Sequence, residues 1–153
     1  MRPGIRLAID VGTVRIGLAR SDATGVLAVP LDAIAAGDTA AAALLRAVRE
    51  WEPVEVYVGL PIHMSGAEGA SAEKVRAWAA VLAELTDVPV RLIDERLSTV
   101  QAQRALHAGG RSTRQSRSEI DSASAVMVLQ AVLDSEAATG RAPGELVERR
   151  ESQ

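Results

Sequence analysis

Four acidic residues sit where a carboxylate can do chemistry: Asp10, the adjacent Asp94 and Glu95, and Asp121. Asp10 ends the apolar run Ile5 to Asp10, just before Val11, Gly12 and Thr13, so its side chain is expected at a sheet edge beside a tight turn. An Asx turn residue has the same signature. Asp94 and Glu95 follow the apolar run Val90 to Ile93 and precede a helix-capping Ser98. Spacing leaves open which of the two faces a site, and a solvated loop fits the pattern as well. Asp121 is expected in the first turn of the last helix, where the helix dipole favours a negative charge by ~0.3–1 kcal/mol whatever its function.

Three acids on three elements matter only if they converge. Two like charges ~4 Å apart repel by ~4 kcal/mol at an effective dielectric near 20, a large share of a typical domain stability of ~5–15 kcal/mol. A carboxylate cluster therefore requires a bound cation or a raised pKa. All-oxygen donors suit Mg²⁺ or Mn²⁺, and a pair of such ions ~3.5–4 Å apart can hold the attacking and leaving oxygens of an in-line phosphoryl displacement.

The elements that must carry these residues are legible from periodicity. Ile5 to Asp10 and Val14 to Arg20 read as two antiparallel strands with a tight connection, and Val26 to Leu31 as a third. Leu44, Leu45, Val48 and Trp51 recur at helical spacing after Gly37 and Asp38, with Pro53 just beyond. Val54 to Leu60 is a short, continuously apolar run, as expected of a strand covered on both faces. Ser65 with Glu68 has the form of a capping box before a helix marked by Val75, Trp78, Ala79, Leu82 and Leu85. Val90 to Asp94 reads as a fifth strand, Ser98 with Gln101 opens a third helix ending at Gly109 and Gly110, and a last helix runs from Glu119 to about Glu136, with Ile120, Met127 and Leu133 among its apolar positions. Ser122, Ala123, Ser124 and Ala125 are small enough to let that helix lie close to a sheet. The result is an α/β chain with a mixed five-stranded sheet flanked by helices: one domain over residues 1–138 and a polar, flexible C-terminal tail over 139–153.

Composition narrows the chemistry. The 153 residues suffice for one core and include no cysteine, which excludes disulfides, thiolate metal sites and a cysteine nucleophile. Mean hydropathy is +0.10, but the apolar runs are short and none approaches the ~20 residues of a membrane span. The N-terminus enters a strand without the regions of a secretory signal, so a cytoplasmic location is expected. Net charge is −3, yet Arg96 to Ser118 holds five arginines (Arg96, Arg104, Arg111, Arg114 and Arg117) and no acid, a stretch suited to a polyanion. Aromatic residues make up only 2% of the chain, which argues against a base-stacking platform. His63 and His107 receive no role.

The segments Ala8-Ile9-Asp10-Val11-Gly12-Thr13 with Ile16-Gly17, Val58-Gly59-Leu60-Pro61, Asp94-Glu95-Arg96-Leu97-Ser98-Thr99 and Asp121-Ser122-Ala123-Ser124-Ala125 occur in the order and spacing of a known family. Together they resemble YqgF/RuvX, pre-16S rRNA nucleases also described as Holliday-junction-resolvase-like, over Leu7 to about Leu133. The resemblance implies an RNase H-like fold and a metal-binding catalytic set of Asp10, Glu95 and Asp121; it is the resemblance that selects Glu95 over Asp94. The lysine found two positions before the last acid in many relatives is Glu119 here, leaving Arg114 or Arg117 to supply that contact. Arg96, Arg111, Arg114 and Arg117 are the expected nucleic-acid contacts, Arg96 being equally suited to an ion pair. The implied activity is metal-dependent cleavage of structured nucleic acid, with an rRNA precursor as substrate, by a monomer or homodimer. Branched DNA is the alternative substrate, and a non-catalytic nucleic-acid-binding factor the alternative role. Asp-Val-Gly-Thr before a hairpin also resembles the phosphate loop of actin and sugar-kinase domains, but that class needs two such domains.

Overall fold

The first two apolar runs fold back on each other as β1 (Arg6–Val11) and β2 (Arg15–Ser21), because Gly12 lets the chain turn where a Cβ would collide with the Arg15 carbonyl. That carbonyl accepts the Gly12 N–H at 3.1 Å. The computed structural model describes residues 2–97 and 122–148. Beyond the hairpin come β3 (Ala28–Ala35), α1 (Ala40–Trp51), β4 (Glu55–Leu60), α2 (Ala70–Leu85), β5 (Val90–Asp94), α3 (Ala123–Thr139) and β6 (Glu145–Leu146). The strands form one sheet in the order β3-β2-β1-β4-β5-β6, with β1, β4 and β5 mutually parallel and the other pairings antiparallel.

Side-chain alternation splits the core by face. Leu7 and Ile9 of β1, Val56 and Val58 of β4, and Leu92 of β5 pack with Leu44 and Val48 of α1 and Val75, Ala79 and Leu82 of α2. On the opposite face Ala8, Ala19, Tyr57 and Ile93 lie under Ala125, Val128, Leu129 and Val132 of α3. β4, buried along its whole length, is sandwiched as its apolar run predicts.

Four features differ from the sequence expectation. β3 starts at Ala28, because Asp22 Oδ1 accepts the N–H groups of Val26 (2.8 Å) and Leu27 (3.1 Å) and folds them into a turn that leaves both side chains exposed. α2 begins at Ala70 with no side-chain cap: Ser65 Oγ accepts the Ala67 N–H at 3.4 Å and Glu68 is taken up by Arg76. On α3, Ser122 and Ala125 are buried whereas Ala123 and Ser124 are exposed, so only one pair of the small residues faces the sheet. Among the described residues the sheet has six strands, not five. Glu145–Leu146, within the segment expected as tail, pairs with Leu92 and Arg91 of β5, and Val147 N–H donates to the Val90 carbonyl at 2.8 Å. Two exposed residues carry no hydrophobic alternation, so backbone pairing alone makes that strand. The helix expected from Ser98 to Gly109 lies outside the described residues.

At the amino ends of the parallel strands, charge is buried in pairs. Glu136 of α3 accepts from Arg2 at 3.0 and 3.1 Å and from the fully buried Arg6 at 2.9 Å. Glu55, at the start of β4, accepts from Arg2 at 2.7 Å and from Arg91 at 2.6 Å. The network joins β1, β4, β5 and α3 at one end of the sheet.

Candidate active site at the carboxyl ends of the parallel strands

In open α/β sheets the carboxyl ends of parallel strands form the usual crevice for ligands. β1 and β5 are not neighbours; β4 lies between them, so groups at their ends meet only across β4. Asp10, opposite Gly17 of β2, is on the same face of β1 as Ala8, the face covered by α3. Gly59 of β4 pairs with Ile93 and shares Tyr57's side of the sheet, again beneath α3. Having no side chain, Gly59 leaves the gap that Glu95 fills: a Cβ there would lie 2.9 Å from Glu95 Oε1 and 3.2 Å from its Cγ. The Glu95 N–H donates to the Leu60 carbonyl at 3.1 Å, fixing the chain as it leaves β5.

Through this gap the Glu95 carboxyl reaches Asp10 and hydrogen-bonds to it. Burial, that hydrogen bond and the negative charges of Asp10 and Asp94 push the Glu95 carboxyl up to about 7. A hard cation beside the pair would favour the ionised form of Glu95 that this environment disfavours. Asp94, the other half of the acidic pair, is engaged elsewhere. Arg96 donates to it from Nη2 at 2.6 Å, from Nε at 3.0 and 3.1 Å and from its backbone N–H at 2.9 Å, holding the Asp94 carboxyl below its usual range.

Two of the three expected acids therefore meet. Asp121 lies outside the described residues, as do Arg111, Arg114 and Arg117. The next residue, Ser122, is wholly buried: its hydroxyl accepts the Leu18 N–H at 3.1 Å and donates to the Leu31 carbonyl at 2.8 Å. Both groups lie beside the register shift between Ile16 and Leu18, where the β2–β3 ladder is interrupted and a hydroxyl can complete it. Ser122 thus pins the start of α3 over the residue next to Gly17, the cross-strand partner of Asp10. Sequence reasoning assigned no individual role to Gly59 or Ser122. An isolated glycine within an apolar strand is a signal for close approach, whereas the serine had none, since its partners are backbone groups more than ninety residues away.

The donors suit a hard divalent cation. Carboxylate oxygens in contact, one carrying a raised pKa, form a site whose repulsion a cation relieves. Among the described residues only two acids converge, with no larger cluster of metal-ligating side chains.

Comparison with known proteins agrees with this architecture. The family model described as "RuvX: Holliday junction resolvase" matches residues 4–135. A protein of Streptomyces avermitilis named "Putative pre-16S rRNA nuclease" is 50% identical over 151 residues, covering 97% of each chain. One of the same name from Thermobifida fusca is 48% identical over 156 residues, 97% of this chain and 98% of that one. Among solved structures, T. thermophilus RuvC in complex with a Holliday junction substrate superimposes with a TM-score of 0.60 at 16% identity, over 94% of this chain and 99% of that one. The fold is thus RuvC-like, of the RNase H-like type, and the chain belongs to the YqgF/RuvX family of nucleases, hydrolases acting on phosphodiester bonds.

Proposed function

We propose that this protein is a divalent-metal-dependent nuclease that processes the 5′ end of pre-16S rRNA in the cytoplasm during ribosome biogenesis, with Asp10, Glu95 and Asp121 holding Mg²⁺ or Mn²⁺. The observation that carries this reading is the contact between Asp10 and Glu95 across Gly59. The rRNA substrate follows from the names of the half-identical relatives.

A bound divalent cation would supply charge stabilisation to the reacting phosphoryl oxygens and lower the pKa of the attacking water. The chain's own part is to make the binding pocket. Gly59 removes the side chain that would separate the acids, partial burial weakens solvation of the Glu95 carboxyl, and Arg96 withdraws Asp94 from the site by pairing with it. Glu95 gives up its proton when the site fills. Arg111, Arg114 and Arg117 hold the nucleic-acid backbone by charge, without reading sequence. Arg96 joins them only by exchanging its ion pair with Asp94 for a phosphate.

The family description favours one second reading, cleavage of four-way DNA junctions. The decisive experiment is cleavage with Mg²⁺ or Mn²⁺ by wild type and by Asp10→Asn, side by side on precursor rRNA, single-stranded RNA and DNA junctions. Metal-dependent cutting of precursor rRNA, lost in Asp10→Asn, is the expected result. Preferential cutting of junctions selects the second reading. If neither protein cuts while both bind RNA equally, the chain is a binding factor and not an enzyme.

A further inference from the structure

A cleft of about 250 Å³ is lined by Glu95 together with Pro61, Ile62, His63, Gly69 and Ser71. Glu95 and His63 are seated in the same way. Glu95 lies over Gly59, where a Cβ would approach its carboxyl at 2.9 Å; His63 lies over Gly69, where a Cβ would stand 2.7 Å from its Nε2. Gly69 has φ −106° and ψ −162°, an extended conformation open to any residue, so its backbone does not require glycine. The absence of a side chain there makes room for the imidazole. The His63 loop is itself closed by backbone bonds, with His63 N–H donating to the Ala67 carbonyl at 2.9 Å and Gly66 N–H to the His63 carbonyl at 2.8 Å.

We propose that His63 is a substrate-binding residue that donates a hydrogen bond to a phosphate of the nucleic acid lying in this cleft, next to the phosphodiester held at Asp10 and Glu95. The assignment rests on the nuclease reading for the identity of the substrate. An imidazole offers at least one N–H in either protonation state, so the contact needs no charge on the histidine. It also meets a local need, because a polyanion brought up to two carboxyl groups gains from a fixed donor beside them. Ser71, in the lining of the same cleft, offers a hydroxyl to the same strand.

The test uses the full-length protein and a precursor rRNA fragment spanning the 5′ end of 16S rRNA. Equilibrium binding is measured without divalent metal, and KM and kcat are measured with it. One lost hydrogen bond is worth ~0.5–1.5 kcal/mol, about 2- to 13-fold, so His63→Ala should weaken binding about 3- to 10-fold and raise KM more than it lowers kcat. His63→Gln, which keeps a donor, should recover most of the loss. Gly69→Ala should reproduce the defect by displacing the imidazole, and adding it to His63→Ala should cost nothing more. Unaltered binding and KM in His63→Ala, with Asp10→Asn inactive, overturns the His63 assignment alone. Additive losses in the double variant at unchanged melting temperature overturn it too, since Gly69 would then act without the histidine. Wild type that cuts no RNA or DNA junction overturns the nuclease reading and this one with it, and a fully active Asp10→Asn overturns the placement of the reacting phosphodiester at Asp10 and Glu95.

Discussion

The two ends of the parallel strands handle buried acids in opposite ways. At the amino ends, Glu55 and Glu136 each face two guanidinium groups, and hydrogen bonds and charge from Arg2 and Arg6 hold the Glu136 carboxyl below its usual range. At the carboxyl ends, Glu95 faces Asp10 and its carboxyl is pushed up to about 7. Among the described residues, the first end pairs its acids with arginines, whereas at the second two carboxyl groups meet. A charge network completed internally holds strands and helix together, whereas carboxyl groups brought together destabilise the fold when both are ionised, the usual penalty of a preformed site.

Changes at each end should separate these roles. The largest effect is expected from Glu95→Gln, which removes one of the proposed ligands to the cation. A cation contributes several kcal/mol of transition-state stabilisation, so cutting should fall about a thousandfold or more at 1.36 kcal/mol per tenfold. The metal-free fold should be unchanged or slightly more stable, because like-charge repulsion is relieved. Equal losses of activity and melting temperature would show that Glu95 is a structural residue and erase the contrast. At the other end Glu136→Ala strands the buried Arg6 and should destabilise the fold by ~3–5 kcal/mol in urea titration, with the activity of the folded fraction retained. Gly59→Ala should act on the site without the network: a displacement of ~1 Å costs roughly a hundredfold in rate, and thermal melting should change little.

The pH dependence has opposite signs at the two ends. Glu136, lowered on folding, adds stability that is present above the ordinary value of 4.5 and is lost as the pH falls through its lower folded value. Glu95, raised on folding, adds stability that is complete below 4.5 and is lost as the pH rises through about 7. Metal-free wild type should therefore lose stability between about pH 4.5 and 7 relative to Glu95→Gln, and a parallel pair of curves would refute the raised Glu95 carboxyl. The smallest effect is expected at Tyr57, whose buried hydroxyl has no hydrogen-bond partner among the described residues and is pushed up to about 12, mainly by burial and then by Glu55 and Glu136. Tyr57→Phe removes an unsatisfied polar atom and should be neutral or stabilising by up to ~1 kcal/mol; a clear loss in urea titration would mean the hydroxyl is an active member of the network.

Much of the fold was legible because apolar periodicity is a local property. The β1–β2 hairpin, the run that becomes β4 and the stripe of α1 appear within a few residues of each other, and burial on one or both faces follows from the pattern. β6 was not legible, since two exposed residues joined by backbone bonds leave no side-chain trace. α2 was placed too early because Ser65 and Glu68 satisfy the capping pattern but spend their side chains elsewhere. For the site, residue pattern alone nominated Asp10, Asp121 and the Asp94-Glu95 pair, and could not choose within the pair. That choice depends on where Arg96 turns and on the empty space at Gly59.

By itself, then, the sequence determined strands β1 to β5, helices α1 to α3, Asp10 and the Asp94-Glu95 pair at strand ends and, through four motifs in register, the family. The tertiary structure decided that Asp10 and Glu95 touch, that Glu55 and Glu136 are neutralised by distant arginines, and that His63 shares a cleft with Glu95. Those facts depend on strand order and on which residues lack a side chain between two groups. Sheet order brings together positions separated by up to 134 residues, and no local pattern encodes such a meeting.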